Sequence, residues 1–292
     1  MKNLDSVSTG VAGCPHCDGV GVRVAGSDQL ARAEVCSCVV RCAPGKPVME
    51  GCDGYGTRRV RIDGVMRTGR CRCMILPDRA RLFTDAGVPA RHARSTFTNF
   101  RHDPVDFPGI APAYHASLSW VEEHVPGHET RGLVLHGDVG VGKTHLLVAI
   151  VRELTLQQGV RARFVEFSHL LAQIKAGFDS GKGESQVLGP LVQVPVLAID
   201  ELGKGRGTDW EVTIIDTLIS QRYNAMRTTL ATTNYSPAAS TGTSSPNLAG
   251  FGSGPALIDR VGVRVFSRLR EMCQFVPVRG DDFRSNPRRI AY

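Results

Sequence analysis

From residue 131 onward the chain alternates between two hydrophobic rhythms. Short runs rich in apolar or β-branched residues lie at 131–136, 161–167, 194–199, 228–233 and 275–278, and they read as strands. Between them apolar residues return every three or four positions. Thr144 to Leu156 puts Leu146, Leu147, Ile150, Val151 and Leu154 on one stripe. A helix over 168–178 turns Leu170, Ile174 and Phe178 inward and His169, Gln173 and Lys175 outward. A further helix, Ala256 to Cys273, aligns Ile258, Val261, Val265, Leu269 and Met272, with Arg260, Arg264 and Arg268 spaced by four beside them. Strand alternating with helix predicts a five-stranded parallel sheet with flanking helices. Residues 76–130 read as a connector with helix. Residues 236–256, uncharged and rich in Ser, Gly, Ala and Pro, read as a flexible loop.

Charge and cysteine divide the chain in a way the hydrophobic pattern does not. The net charge is +7 over 292 residues, but residues 1–94 hold fifteen Lys/Arg against nine Asp/Glu, and the rest is close to neutral. Eight of the nine cysteines fall within the first 73 residues. The start is polar and no apolar run approaches the about eighteen residues of a membrane span, so a cytoplasmic protein without membrane contact is expected.

The cysteines form a repeat. Cys14-Pro-His-Cys17-Asp-Gly is followed by Cys36-Ser-Cys38, and Cys52-Asp-Gly by Cys71-Arg-Cys73; the steps from Cys17 to Cys36 and from Cys52 to Cys71 are both nineteen positions. With Cys42 completing the second copy, each copy offers four thiolates, the ligand set of a structural Zn²⁺. Two zinc ions per chain are expected, although the pairing of ligands between copies is not fixed by spacing, and His16 and His92 are available as substitutes. Disulfides compete with this reading but do not suit a reducing compartment. An iron–sulfur cluster would call for closer cysteine runs. The region resembles the zinc region of DnaJ-type chaperones over residues 14–73. Within the second copy Arg58, Arg59, Arg61, Arg67, Arg70 and Arg72 face only Asp63; the cluster suits nucleic-acid phosphates or, equally, neutralisation of zinc-thiolate charge.

Gly137-Asp138-Val139-Gly140-Val141-Gly142-Lys143-Thr144, between a predicted strand and a predicted helix, fits the loop that wraps backbone N–H groups around nucleotide phosphates, with Lys143 on the terminal phosphates and Thr144 on Mg²⁺. The strand ending in Asp200-Glu201 supplies a second Mg²⁺ contact through Asp200 and a base for the attacking water in Glu201. Asn234, at the end of the strand from Thr228, is a candidate to align that water. Cys273 reads as core.

Gly137 to Leu146, Ala198-Ile-Asp-Glu-Leu-Gly203, Gln221-Arg-Tyr-Asn224, Thr232-Thr-Asn234, Asp259 to Leu269 and Gly280-Asp-Asp-Phe-Arg284 together resemble the AAA+ ATPases of the DnaC/DnaI helicase-loader and IstB group. The likeness begins at Gly87-Val-Pro and Thr96-Phe-Thr-Asn-Phe100 and covers about residues 86–285. It implies an α/β AAA+ (ASCE P-loop) core, assembly into a homo-oligomeric ring or spiral with ATP at subunit interfaces, and single-stranded DNA in the channel. It also implies Asn234 as sensor 1, Arg268 as the finger acting on a neighbour's nucleotide, with Arg260 and Arg264 as substitutes, and Arg284 as sensor 2. Helix 168–178 falls where the group contacts DNA. Only eight residues follow Arg284, so no C-terminal helical lid is expected. The domain division is 1–78 zinc-binding, 79–130 linker and helical segment, and 131–292 ATPase core. The cysteine unit tilts the reading to an ATP-hydrolysing loader of a replicative helicase. An IstB-like helper of a transposase and a zinc-stabilised adaptor with structural ATP are the alternatives.

Overall fold

The computed structural model describes residues 13–17, 19–39, 42, 44–45, 51–62, 64–179, 183–237 and 255–285. Contacts divide the chain into two compact units, one of residues 1–94 with 152–160, the other of 95–151 with 161–292.

The first unit contains two antiparallel hairpins of equal length. β1 (Val22–Ser27) pairs with β2 (Leu30–Val35), and β3 (Thr57–Ile62) with β4 (Val65–Arg70). The first is tied down on one face. Alternation turns Ala31 and Ala33 inward, where both are buried, and α1 (Ile75–Ala86) meets them: the Ala33 N–H donates to Thr84 Oγ1 at 3.0 Å and the Ala31 N–H to Val88 O at 2.8 Å. The α1 helix ends at Gly87, whose φ of 79° makes the left-handed cap that a side chain would strain. β4, by contrast, is exposed at all six positions.

The second unit is built on one parallel sheet in the order β6-β7-β8-β5-β9, comprising β5 (Gly132–His136), β6 (Ala162–Glu166), β7 (Val196–Asp200), β8 (Thr228–Thr233) and β9 (Cys273–Pro277). β5, β7 and β8 are buried at every position, as in strands covered on both faces, although four of the six β8 residues are threonine. The helices are α2 (Ala111–Glu123), α3 (Lys143–Arg152), α4 (Phe167–Asp179), α5 (Glu184–Gln193), α6 (Asp209–Asn224), α7 (Leu257–Val261) and α8 (Val263–Met272). Leu170 and Ile174 of α4, Leu218 of α6 and Leu269 of α8 meet Leu197 and Ile199 of β7 in the core. Among the described residues no helix is long and apolar enough to cross a membrane.

Three local expectations are corrected. The stretch Ala256 to Cys273 is not one helix: Gly262, at φ 83° and ψ 159°, breaks it into α7 and α8, so the three arginines do not share one continuous face. Cys273 is the first residue of β9, which starts two positions before the sequence pattern suggests. The helix after the phosphate loop is α-helical only to Arg152 and continues as a wider π-helical turn, Glu153–Gln158, capped by Gly159 at φ 71°. The predicted loop 236–256 lies mostly outside the described residues, as do the residues after Ser285 and the Phe178 side chain.

Candidate nucleotide site and cysteine clusters

The loop from Gly137 to Gly142 joins the end of β5 to the start of α3. Gly137, Gly140 and Gly142 all take positive φ (147°, 82° and 96°), which aims successive N–H groups to one side as an anion cradle. None of the three has room for a side chain: a Cβ on Gly137 would collide with Val278 O, one on Gly140 with the Asp282 carboxylate, and one on Gly142 would come within 2.7 Å of the Phe100 ring. Asp138 and Val139 form the exposed rim, and Val141 is fully buried beneath it. Lys143 folds back over the loop and donates to the carbonyls of Gly137, at 2.8 Å, and Asp138. Burial pushes its pKa down to about 8, with Arg284 adding repulsion while Asp200 and Asp138 oppose the shift. A buried ammonium held by two neutral carbonyls is a site short of negative charge, which phosphate would supply.

Thr144 Oγ1 donates to Asp200 Oδ1 at 2.9 Å. Burial raises the Asp200 carboxyl above its ordinary range, against hydrogen bonds from Thr232 (2.6 Å) and Thr144 that favour the ionised form. Thr232 also receives the Glu201 N–H at 2.9 Å, and Glu201 sits at φ 55°, a conformation L residues rarely adopt. Thr232 therefore fixes both acids from the adjacent strand. Sequence reasoning passed over it for Asn234, two positions on, although the β7–β8 pairing that brings it there is implied by the parallel sheet. Asn234 is exposed and makes no hydrogen bond among the described residues. The Glu201 carboxylate is held by Lys204, another partner the motifs did not disclose.

The three candidate arginines have separate fates. Arg260 donates to the carbonyls of Gly203, at 3.1 Å, and Gly205, and lies over the Tyr235 ring. Arg268 pairs with Asp216 of α6 at 2.9 Å. Arg264 is exposed, with no hydrogen bond or ion pair among the described residues. Arg284, also exposed, is close enough to lower the Lys143 pKa, and the Phe283 N–H donates to Gly140 O at 3.3 Å, so 282–284 closes over the phosphate loop. On the other side His145 Nε2 is 2.8 Å from Thr96 O and its ring meets Phe100, which brings the segment 96–100 onto the start of α3. Arg222, from the Gln221–Asn224 string, is fully buried and donates to Val194 O (2.9 Å), Leu191 O and Thr229 Oγ1 (3.1 Å); burial pushes it down to about 9. It ties α6 to the sheet and takes no part in the phosphate site.

In the first unit the eight cysteines gather copy by copy. Cys14, Cys17, Cys36 and Cys38 form one set, and Cys42, Cys52, Cys71 and Cys73 the other, with all sulfurs of a set within 4.8 Å of one another. Sulfur pairs stand 3.8 Å (Cys14–Cys36), 3.5 Å (Cys17–Cys38) and 4.0 Å (Cys52–Cys73) apart. Four thiolates around one Zn²⁺ at about 2.3 Å lie about 3.8 Å from one another, so both sets fit a tetrahedral ion and none of these sulfurs is in a disulfide. The two sets differ electrostatically. A backbone hydrogen bond from His16 draws Cys14 down to about 7, while burial, reinforced by Cys71 and Cys52, pushes Cys73 up to about 12.

The family model described as "IstB-like ATP binding protein" matches residues 113–291. The replicative helicase loader DnaC of Escherichia coli (strain K12) is 30% identical over 155 residues, 53% of this chain and 61% of the relative. The uncharacterized protein YqaM of Bacillus subtilis (strain 168) is 30% identical over 152 residues, 49% of this chain and 47% of the relative. The match thus spans less than two thirds of either relative's length. A crystal structure of the DnaC helicase loader superposes with a TM-score of 0.54 at 30% identity, covering 65% of this chain and 99% of that one. The sheet order, with the phosphate-loop strand β5 between β8 and β9, is that of an AAA+ core. Fold, phosphate loop and family match agree: this chain belongs to the IstB-like ATP binding protein family, homologous to the DnaC/DnaI helicase loaders.

Proposed function

We propose that this protein is a cytoplasmic ATP hydrolase that loads a replicative helicase onto single-stranded DNA. The observation that carries the reading is the cluster of buried Lys143, Asp200 and Thr232 with half-buried Thr144, beside a Glu201 whose backbone the same Thr232 fixes. Glu201 takes the proton of the attacking water once Lys204 releases its carboxylate. Lys143 and the loop N–H groups hold the β- and γ-phosphates. Thr144 and Asp200 would hold Mg²⁺, which neutralises developing phosphate charge, and each cysteine set would hold one Zn²⁺, two per chain.

Helicase loading itself comes from the likeness to DnaC, a replicative helicase loader by name. ATP would favour a homo-oligomer in which an arginine of one subunit reaches the nucleotide of the next. Arg264, exposed near the start of α8, is as well suited as Arg268, whose guanidinium is engaged by Asp216. Asn234 and Arg284 would serve as the two sensors. The cysteine unit would dock the helicase independently of nucleotide. The test is sedimentation of the full zinc-loaded chain with the host's replicative helicase and with labelled single-stranded DNA, in the presence and absence of ATP. Helicase binding in both conditions and DNA binding only with ATP are expected, and Glu201→Gln, which binds ATP but hardly turns it over, should hold the DNA longest. A chain that binds a transposase and ignores the helicase would make it a transposition helper.

A further inference from the structure

The second hairpin, β3–β4, has properties that the nucleotide site does not use. Five of its fourteen residues are arginine, and its sequence holds a single acid, Asp63. The register pairs Arg61 with Met66 and Val60 with Arg67. Because alternate residues on a strand face opposite ways and directly paired residues share a face, Arg59, Arg61 and Arg70 lie on one side of the ribbon and Arg67 lies on the other. All four are exposed. Arg70 is paired with Asp78 at 2.6 Å, whereas Arg59, Arg61 and Arg67 have no ion pair among the described residues. At the tip two apolar side chains, Val65 at 60% and Met66 at 56% exposure, face solvent on opposite sides.

Among the described residues none of these three arginines contacts a neighbouring thiolate directly. The Cys52 sulfur receives its hydrogen bond from the Gly54 N–H, at 3.4 Å, and lies 4.0 Å from the Cys73 sulfur; Arg59, Arg61 and Arg67 donate to no sulfur among the described residues. The equivalent hairpin of the first copy shows what the same framework does without this role: it pairs Arg23 with Glu34 at 3.2 Å and buries one face against α1. In the second copy that face carries charge instead.

We infer that the β3–β4 hairpin is a binding site for duplex DNA, entered into a groove with its arginines on the phosphates of both walls. A two-stranded ribbon is of a size the major groove admits. Guanidinium groups on both faces suit a groove with phosphates on both sides, whereas a single strand would be followed along one face with aromatic side chains for its bases. Residues 57–70 contain no aromatic residue. The inference does not rest on the loader reading, since the hairpin lies outside the nucleotide site and needs no ATP.

The test is fluorescence anisotropy of the full zinc-loaded chain, without nucleotide, on a labelled duplex and on a labelled single strand of the same length, over a salt series. The wild type should prefer the duplex. Arg61→Gln/Arg67→Gln, which removes one charge from each face, should weaken duplex binding about tenfold or more and make the salt slope shallower by about two, since each phosphate contact contributes about 0.9. Arg59→Gln alone, a milder change at a solvent-exposed position, should make the slope shallower by about one. Single-strand binding in ATP should not move with any of these variants; that separates the hairpin from failure of the loader reading. Duplex affinity and slope equal to wild type in the double variant would overturn the inference, as would equal affinity of the hairpin for single strands or its capture of an acidic protein surface in place of DNA.

Discussion

The two units of this chain reach order by different routes. In the ATPase unit, Leu197, Ile199, Leu218, Leu269 and their neighbours are buried around one sheet, and the phosphate loop is positioned by that core. In the cysteine unit the base of the second hairpin is enclosed by sulfurs: Cys71 is fully buried and Cys52 nearly so, while β4 above them is wholly exposed. One region is held by apolar burial, which stabilises by about 25 cal/mol per Å². The other brings four cysteine sulfurs together in each of two sets, an arrangement that a bound cation would hold. The proposed function follows the same division: a surface held by Zn²⁺ would suit nucleotide-independent docking, and a sheet with a phosphate loop would suit switching.

The largest expected effect is that of metal removal. A strong chelator should unfold the hairpins of the cysteine unit, because structural Zn²⁺ contributes about 10–16 kcal/mol per site in small zinc domains, while leaving the parallel sheet protected. Hydrogen exchange resolved by segment checks this; equal loss of protection in both units would erase the contrast. Next in size is Lys143→Ala, expected to weaken nucleotide binding about a hundredfold or more by removing the buried ammonium over the loop, with zinc content still at two per chain. Calorimetry and elemental analysis on one sample read both.

These contrasts also explain what the sequence disclosed. The short apolar and β-branched runs disclosed the five strands, because strands buried on both faces admit few charged residues, and the phosphate loop was legible because its glycines and lysine are set by backbone geometry. The cysteine repeat was legible as chemistry. The partition of its ligands by copy was not, since it depends on how the chain returns through Cys42. The break at Gly262 escaped because apolar spacing on either side of it remains helical, and only the φ of 83° interrupts the ladder. Thr232 and Lys204 escaped for different reasons: Thr232 reaches Asp200 across the sheet from a string read for its Asn234, and Lys204 lies one residue beyond the Ala198–Gly203 string.

A smaller effect is that of pH on the nucleotide site. Lys143 holds its proton only below about 8 in the free protein, so nucleotide affinity should fall by up to about tenfold per pH unit above 8, with proton uptake on binding. The sign for folding is the reverse: the unfolded chain keeps this proton to about 10.5, so this group makes the fold gain stability between about pH 8 and 10.5. Titration calorimetry in buffers of different ionisation heat would detect the uptake; heats independent of buffer would contradict it. Smallest is Cys273→Ala. Cys273 is buried in β9 with its thiol 3.4 Å from Thr229 O and pushed up to about 12, a core residue of the ATPase unit. Its loss should cost about 1 kcal/mol in thermal unfolding and no zinc.

The central claim is that ATP bound at Lys143, Asp200 and Glu201 drives helicase loading. Its most direct measurement is the rate at which the host's replicative helicase begins to unwind a labelled duplex joined to a single-stranded tract. The account predicts that the zinc-loaded chain with ATP raises that rate and that Lys143→Ala does not. A helicase indifferent to the chain in ATP, with or without the intact lysine, would contradict it.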